Sequence, residues 1–260
     1  MAPAETDDLG HASVLRKAVL ILRAFAADEY AVTLAELTRR TGLHKATVHR
    51  LARELVELGL LERGPTGYRL AVGLFELGMR AAKERSLLEV TMPFLQELSE
   101  RTHELVHLAV REGNEVVYVA KLGGRRQAKS PSRIGGRMPT HCTAVGKVLL
   151  AHDDDLRRRV LAAPLPRLTP HTIVAPGLLR RQLDVVTAHG VAFEHEESAL
   201  GLACVACPVF GPSGEVAAAI SITGPTSRFR PEAHSDVVRA TANAISATLA
   251  RRENPHTQLV

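Results

Sequence analysis

The chain has 260 residues, of which 45% are apolar and only 3% aromatic, with no tryptophan, three cysteines and a formal net charge of +5. That is enough chain for two modest domains with aliphatic cores, and so few cysteines argue against a disulfide framework and point to a reducing cytoplasm. No apolar run approaches the ~20 residues that cross a bilayer, the opening segment has no signal-peptide core, and a pI near 9.4 is compatible with a polyanionic partner without requiring one.

Residues 1–10 read as a disordered acidic tail. Ser13 is placed to cap a helix over 13–26 that carries Ala18, Leu22 and Phe25 on one face. Thr33 and Glu36 form a capping-box pattern that opens a short helix ending at Arg40. Gly42 breaks it, and a second helix follows over 44–58, stopped at Gly59. Residues 60–63 and 68–70 flank Gly-Pro-Thr-Gly, the signal for a small β-hairpin wing. Over 70–82, Leu70, Leu74, Leu77 and Ala81 recur at helical spacing, which predicts a connecting helix whose apolar stripe needs a partner.

Beyond Arg85 the texture changes. A helical segment holds Leu88, Phe94, Leu95 and Leu98, and Pro93 is expected to kink or restart it. Residues 104–110 and 115–122 read as a hairpin. A glycine-containing loop over 135–142 leads into a helix over 143–152, and helices over 156–163 and 178–188 come next. Strands are expected over 191–197, 202–210 and 215–224, the last two joined by Gly-Pro-Ser-Gly. A final helix begins at Pro231, a favoured first-turn residue, and runs to about residue 251. The mixture predicts an α+β class with a central, mainly antiparallel sheet. The domain plan is a DNA-binding unit over 11–70, a linker helix over 71–85 and a second domain over 86–254.

The helix over 44–58 is the most informative element. At 100° per residue, Val48, Leu51, Ala52, Leu55 and Leu58 fall on one side, and Lys45, Ala46, His49, Arg50 and Arg53 on the other. No acidic residue lies between Leu37 and Arg53, whereas Arg39, Arg40, Lys45, Arg50 and Arg53 are basic. A face that approaches phosphates is expected to lack carboxylates, because binding is driven by counterion release. Helix, glycine turn, basic helix and hairpin together spell a winged helix-turn-helix, whose second helix enters the major groove. Arg39, Lys45, Ala46, Thr47, His49, Arg50 and Arg53 form the expected DNA surface. Ala46 permits close approach, and Arg50 is suited to a guanine edge. On the wing, Arg63, Thr66 and Arg69 are positioned for phosphate or the minor groove. Duplex operator DNA is the expected partner, met by at least a homodimer because operator symmetry mirrors protein symmetry.

Four other patterns stand in the sequence. His103-Glu104-Leu105-Val106-His107 spells the zincin motif, which needs both histidines on one helix face. Here the segment runs into strand pattern, where His103 and His107 share a face and Glu104 points away. A zinc hydrolase is therefore the rival reading. Cys204 and Cys207 spell CxxC, but three residues apart on a strand they face opposite sides. Gly146-Lys147 resembles the end of a phosphate loop but lacks its first glycine and its Ser/Thr. Asp153, Asp154 and Asp155 suit the start of a helix dipole. No catalytic residue, metal or cofactor is expected.

The stretches 14–25, 32–63, 67–78, 135–151 and 190–211 resemble the IclR family of bacterial transcriptional regulators. In the last of these, Gly190, Glu197, Cys204, Val205, Ala206, Val209, Phe210 and Gly211 fit the family signature, whereas Glu194 stands where Asp or Ser is usual. The resemblance implies a winged-helix domain, a linker helix and a GAF/PAS-like effector domain, assembled as a homodimer or homotetramer and acting as a repressor or activator under control of a small metabolite. It places the effector pocket on Ala144, Val145, Glu194, Leu202, Cys204, Ser221 and Thr223.

Physical reading of the same residues agrees with an acid site. Thr143 as a helix cap leaves the N–H groups of Ala144 and Val145 facing outward with the positive end of the dipole. Ser221 and Thr223 alternate on one strand face, and Met138 and Leu202 supply an apolar wall. Glu194 repels a carboxylate and suits a hydroxyl or amine elsewhere on the ligand. The expectation is a small organic acid with a second polar group. A DNA-binding module with an inert dimerisation domain is the third reading.

Overall fold

The structure, a computed structural model, describes residues 13–26, 29–123 and 130–253; the tail expected over 1–10 lies outside these. The chain divides into two compact units, Met1–Arg85 and Ser86–Val260.

In the first unit, Ser13 Oγ accepts the N–H of Arg16 at 3.2 Å and starts α1 (Val14–Arg23). Thr33 does the same for Glu36 at 3.2 Å, starting α2 (Leu34–Thr41). The reciprocal half of the expected capping box is not made. The Glu36 carboxylate instead accepts from Arg39 and Arg40, since two guanidiniums are stronger donors than one backbone N–H. Gly42 ends α2 in the left-handed conformation, φ 67°, where a side chain would clash. The next helix, α3 (Lys45–Glu57), begins at His44 without a side-chain cap. The wing is β1 (Leu61–Gly64) paired antiparallel with β2 (Gly67–Leu70). Gly67 lets the wing close onto Val32, whose carbonyl oxygen would lie 2.4 Å from any Cβ there. Ile21, Val32, Leu37, Val48, Leu51, Leu55, Leu61 and Tyr68 form the core. The expected Ala18, Leu22 and Phe25 are only partly buried against it.

The connecting helix differs from expectation. It stops early, as α4 (Val72–Gly78), and residues 82–85, expected to close the linker, instead open the next helix, α5 (Ala82–Thr102). Between them Arg80 and Ala81 donate backwards over three residues, to Leu77 and Gly78, the tightened turn with which helices end, and Gly78 is a poor helix former. Pro93, in contrast, sits inside α5 without ending it. The buried stripe Leu87, Val90, Leu95 and Leu98 offsets the one backbone bond a proline removes.

In the second unit a six-stranded sheet runs in the order β5-β4-β3-β8-β7-β6, antiparallel throughout. Its strands are β3 (Leu105–Glu112), β4 (Glu115–Leu122), β5 (Arg137–Pro139), β6 (Ala192–His195), β7 (Leu202–Phe210) and β8 (Val216–Pro225). A 3₁₀ turn at Pro231–His234 precedes the last helix, α9 (Ser235–Glu253), so Pro231 starts that turn rather than the α-helix itself. Alternation along the strands gives each sheet face its own core. Val106, Leu108, Val205, Ile220 and Ile222 pack with α5 and α9. Tyr118, Ala206 and Ala219 pack with α6 (Ala144–Ala151), α7 (Asp154–Ala162) and α8 (Pro176–His189). The result is an α+β sandwich of helices on both faces of one antiparallel sheet.

Candidate nucleic-acid interface and ligand pocket

α3 buries Val48, Leu51, Ala52 and Leu55 and exposes Lys45, Ala46, His49, Arg50 and Arg53, with Thr47 half-buried. The predicted cationic face is therefore on the surface, but it is less purely cationic than the linear sequence implied. Helical and hairpin periodicity brings in carboxylates from outside the stretch 37–53. Arg50 pairs with Glu54 at 2.6 Å, Arg53 with Glu57 at 3.5 Å, and Arg39 with Glu36 at 2.6 Å. On the wing Arg69 pairs with Glu62 at 2.5 Å and also meets the Tyr30 hydroxyl, while Arg63 lies 5.8 Å over the Tyr68 ring. Lys45 and His49 have no ion-pair partner among the described residues. Exposed i,i+4 pairs contribute about 0.3–0.5 kcal/mol each, so Arg50 and Arg53 can exchange carboxylate for phosphate at little cost.

Arg40 is different. It donates to Glu29, to Glu36 at 2.6 Å and to the Ala24 carbonyl at 2.9 Å, so it braces α2 rather than facing outward. The Arg40 guanidinium holds Glu29 down at about 2. Arg39 and then Arg40 do the same to Glu36, also about 2.

In the second unit the sheet register assembles a polar arc on the face beneath α6. Glu194 of β6 lies opposite Cys204 of β7, which lies opposite Thr223 of β8. One row along, Ser221 of β8 lies opposite His107 of β3. Above them Thr143 caps α6, accepting the Gly146 N–H at 3.2 Å, and the first intrahelical bond runs from Lys147 N to Thr143 O at 2.9 Å. The N–H groups of Ala144 and Val145 thus have no partner within the helix. Gly146 is needed here because a Cβ would lie 2.2 Å from the Thr140 carbonyl oxygen.

The structure brings the eight pocket residues named from the sequence, Met138, Ala144, Val145, Glu194, Leu202, Cys204, Ser221 and Thr223, to one cavity. His107, Tyr118, Ser130, Thr143 and Ser198 complete its walls. The cavity is about 10 Å³, room for roughly one water, so any metabolite enters only with movement of the walls. Glu194 is fully buried. Its Oε1 accepts from the N–H groups of Glu197 at 2.5 Å and Ser198 at 3.0 Å, and its Oε2 has no hydrogen-bond partner among the described residues. Burial pushes its carboxyl above the usual carboxylate range, opposed in part by the Ser198 N–H, the neighbouring Cys204 thiol and the Glu197 N–H. Cys204 Sγ lies 3.0 Å from Thr223 Oγ1, and burial raises its thiol well above the ordinary value. Cys207 faces the opposite core, as the strand alternation of the CxxC pair requires.

Two residues escaped the sequence reading. Lys147, dismissed with the phosphate-loop pattern, is buried and paired with Glu197, and its Nζ also donates to the Phe193 carbonyl at 3.3 Å. The available signal was a lone lysine in the apolar run TAVGKVLLA. The other is His107, whose Nε2 lies 2.7 Å from Ser132 Oγ. Its Nδ1 lies 3.4 Å from Ser221 Oγ and 3.5 Å from Thr223 Oγ1. The zincin geometry is therefore not formed. His103 sits just beyond α5 with φ 56° instead of sharing a strand face with His107. Glu104 is a buried partner of Arg228.

Burial, with Lys121 second, lowers His107 from 6.5 to about 3. A histidine depressed in the folded state stabilises fully above its unfolded value and loses that contribution as pH falls from about 6.5 toward 3. His107 is expected to make the protein about 2 kcal/mol less stable at pH 5 than at pH 7. Denaturant titrations of wild type and His107→Gln at the two pH values measure this as an excess loss in the wild type. Parallel losses would contradict it.

Among known proteins, a family model described as the bacterial transcriptional regulator IclR C-terminal matches residues 79–247, and one described as the IclR helix-turn-helix domain matches 14–65. The HTH-type transcriptional regulator KdgR of Escherichia coli K12 is 34% identical over 242 residues, spanning 90% of this chain and 92% of that one. The HTH-type transcriptional repressor AllR of Klebsiella pneumoniae is 30% identical over 245 residues, spanning 92% and 90%. A crystal structure of an IclR homolog from Microbacterium hydrocarbonoxydans complexed with 4-hydroxybenzoate superposes with TM-score 0.85 at 33% identity, covering 91% of this chain and 99% of that one. With a winged helix-turn-helix in its first unit, a six-stranded antiparallel sheet flanked by helices in its second and relatives matched along nearly its whole length, the chain belongs to the IclR family of effector-responsive bacterial transcriptional regulators.

Proposed function

We propose that this protein is a cytoplasmic repressor that binds palindromic operator DNA as a dimer or dimer of dimers and is controlled by a small organic acid. α3 lies in the major groove, with Lys45, Ala46, Thr47, His49, Arg50 and Arg53 toward the DNA, and Arg39, Arg63 and Arg69 reach flanking phosphates. Residues 11–70 serve as the DNA-binding domain, 71–85 as the linker and 86–254 as the effector domain. Val72 and Phe75 on α4 are 70% and 68% exposed, apolar surface that a second copy would cover. The sign of regulation follows the repressor relatives.

The observation that carries the acid reading is the pair of N–H groups at the start of α6 on a cavity whose lining also holds a buried carboxylate oxygen without a hydrogen-bond partner among the described residues. A helix start suits the ligand's acid group, and Glu194 suits a polar group at another point on the ligand. The Microbacterium homolog holds 4-hydroxybenzoate, an acid with such a group. Ligand acts by population shift, favouring a conformation in which the winged domains no longer match the operator spacing. The test is operator release in a mobility shift titrated with hydroxy, keto and aromatic acids, alongside melting temperature. Release with a raised melting temperature is expected for at least one acid. DNA binding that no acid alters, with no thermal shift, would leave only a DNA-binding module with an inert second domain.

A further inference from the structure

We propose that His107 is a ligand-recognising residue of the pocket and that, with Glu194, it selects a hydroxylated acid over both an unsubstituted acid and an amino acid. This rests on the reading of the cavity as an acid site and adds the chemistry of its other end.

His107 is a buried imidazole held more tightly at one ring nitrogen than at the other. Nε2 makes a short contact with Ser132 Oγ at 2.7 Å, and Ser132 Oγ is itself 2.8 Å from Ser130 Oγ. The ring lies 5.0 Å from that of Tyr118, centroid to centroid. On its other edge Nδ1 meets only the distant Ser221 and Thr223 hydroxyls, at 3.4 and 3.5 Å, the outer limit for a hydrogen bond. The imidazole is thus anchored through Nε2 and weakly satisfied at Nδ1, on the cavity wall. At the other end of the same four-strand arc, Glu194 Oε2 is buried with no partner among the described residues. Both are polar atoms that an incoming ligand would satisfy, and leaving them unpaired in its presence is costly.

A hydroxyl answers both sites. It is donor and acceptor at once, so it serves Nδ1 in either tautomer and Glu194 in either protonation state. An ammonium is donor only and charged. Lys147 already takes the neighbouring Glu197, and Lys121 Nζ lies on the Ser132 carbonyl behind His107 at 2.5 Å. An ammonium could pair only with Glu194, whose burial favours the uncharged carboxyl, and would first have to shed its own hydration, whereas a hydroxyl sheds far less. An apolar substituent would leave Glu194 Oε2 unpaired and Nδ1 with only its two long contacts. The ligand class is therefore an acid with hydroxyls, its carboxylate at the start of α6 and separate hydroxyls received by His107, with Ser221 and Thr223, and by Glu194.

The test is calorimetric titration of the full chain with two matched sets: propanoate, lactate, glycerate and alanine, then hexanoate and gluconate. Within at least one set, affinity is expected to rise at least about 10-fold from the unsubstituted to the hydroxylated acid, the size of one satisfied polar contact, with alanine no better than propanoate. His107→Gln places an amide near Nε2, keeping the Ser132 contact while removing Nδ1. It is expected to bring the hydroxyl preference below 3-fold, and His107→Asn, with an amide near Nδ1, to restore part of it. Wild-type imidazole ¹⁵N spectra give the same answer without a mutation, since only the hydroxylated acids should shift the signal of a buried neutral histidine. Acids that bind with no hydroxyl preference, or a preference that survives His107→Gln with no ¹⁵N shift, would overturn the inference. Failure of every acid to bind would instead overturn the acid reading of the pocket on which it rests.

Discussion

Arg50→Ala is expected to weaken operator binding at least about 30-fold while leaving the fold intact. A bidentate arginine–guanine contact contributes about 1–3 kcal/mol, and a two-fold dimer loses it in both half-sites, giving about 2–6 kcal/mol in all. The opposing term is small. Arg50 must release Glu54, now 2.6 Å away, but that pair is about half exposed on each side, 53% and 43%, and contributes about 0.3–0.5 kcal/mol. No core residue depends on the guanidinium, because Val48, Leu51 and Leu55 fill the opposite face of α3. Mobility shift on duplex from upstream of the gene, repeated over a range of salt, measures the loss. Melting temperature verifies the fold. Should Arg50 contact phosphate instead, the salt dependence falls by about one counterion per half-site and the loss is similar for all sequences. Unchanged affinity on every duplex would remove α3 from the interface.

Lys147→Met is expected to destabilise the second unit by about 3–5 kcal/mol. Lys147 and Glu197 are 1% and 6% exposed, and Glu197 Oε2 already lacks a hydrogen-bond partner among the described residues. Removing the ammonium leaves a buried carboxylate with nothing to neutralise it, which costs far more than the pair itself contributes. For a unit of this size the loss corresponds to a melting temperature lower by about 6–20 °C. The double variant Lys147→Met, Glu197→Leu should recover most of it, because two apolar side chains replace two buried charges. A thermal double-mutant cycle measures both, and a single variant within 1 kcal/mol of wild type would refute the argument. The pair also ties α6, whose start forms one end of the pocket, to the loop after β6 that clamps Glu194. The loop is held from its other side by Thr172, which donates to the Glu197 carbonyl at 2.7 Å. Loosening α6 is therefore expected to weaken ligand binding along with stability.

Much of the first unit was readable residue by residue because its determinants are short-range. Ser13 and Thr33 cap the helices they precede, Gly42 turns left-handed, and the wing closes at Gly64 to Gly67. The ion pairs of Arg50 and Arg53 lie four residues away and were legible in principle. The acid-free run ends at Arg53, and the carboxylates that pair with the face, Glu54 and Glu57, begin one residue beyond it. A boundary between two helices was legible, but its place at 79–81 rather than beyond 82 was not, because Ala81 continues the apolar stripe and only a tightened turn marks the change. Conversely Pro93 signals a break that burial of its helix overrides.

The pocket divides along the same line. Alternation within β8 placed Ser221 and Thr223 on one face, and the Thr143 cap implied the exposed N–H groups, both from neighbours in sequence. The resemblance to a known family carried Glu194 and Cys204 into the same set. His107 needed the register of β3 against β8, a pairing of residues 114 apart, and Lys147 needed the fold to deliver Glu197 from 50 residues away. Glu104 likewise meets a cation 124 positions on. Local chemistry, through caps, turns and hydrophobic period, determined which elements form and which of their faces are polar. Only the three-dimensional packing decided which polar groups meet, because burial and pairing energies depend on distances that the linear spacing of residues does not encode.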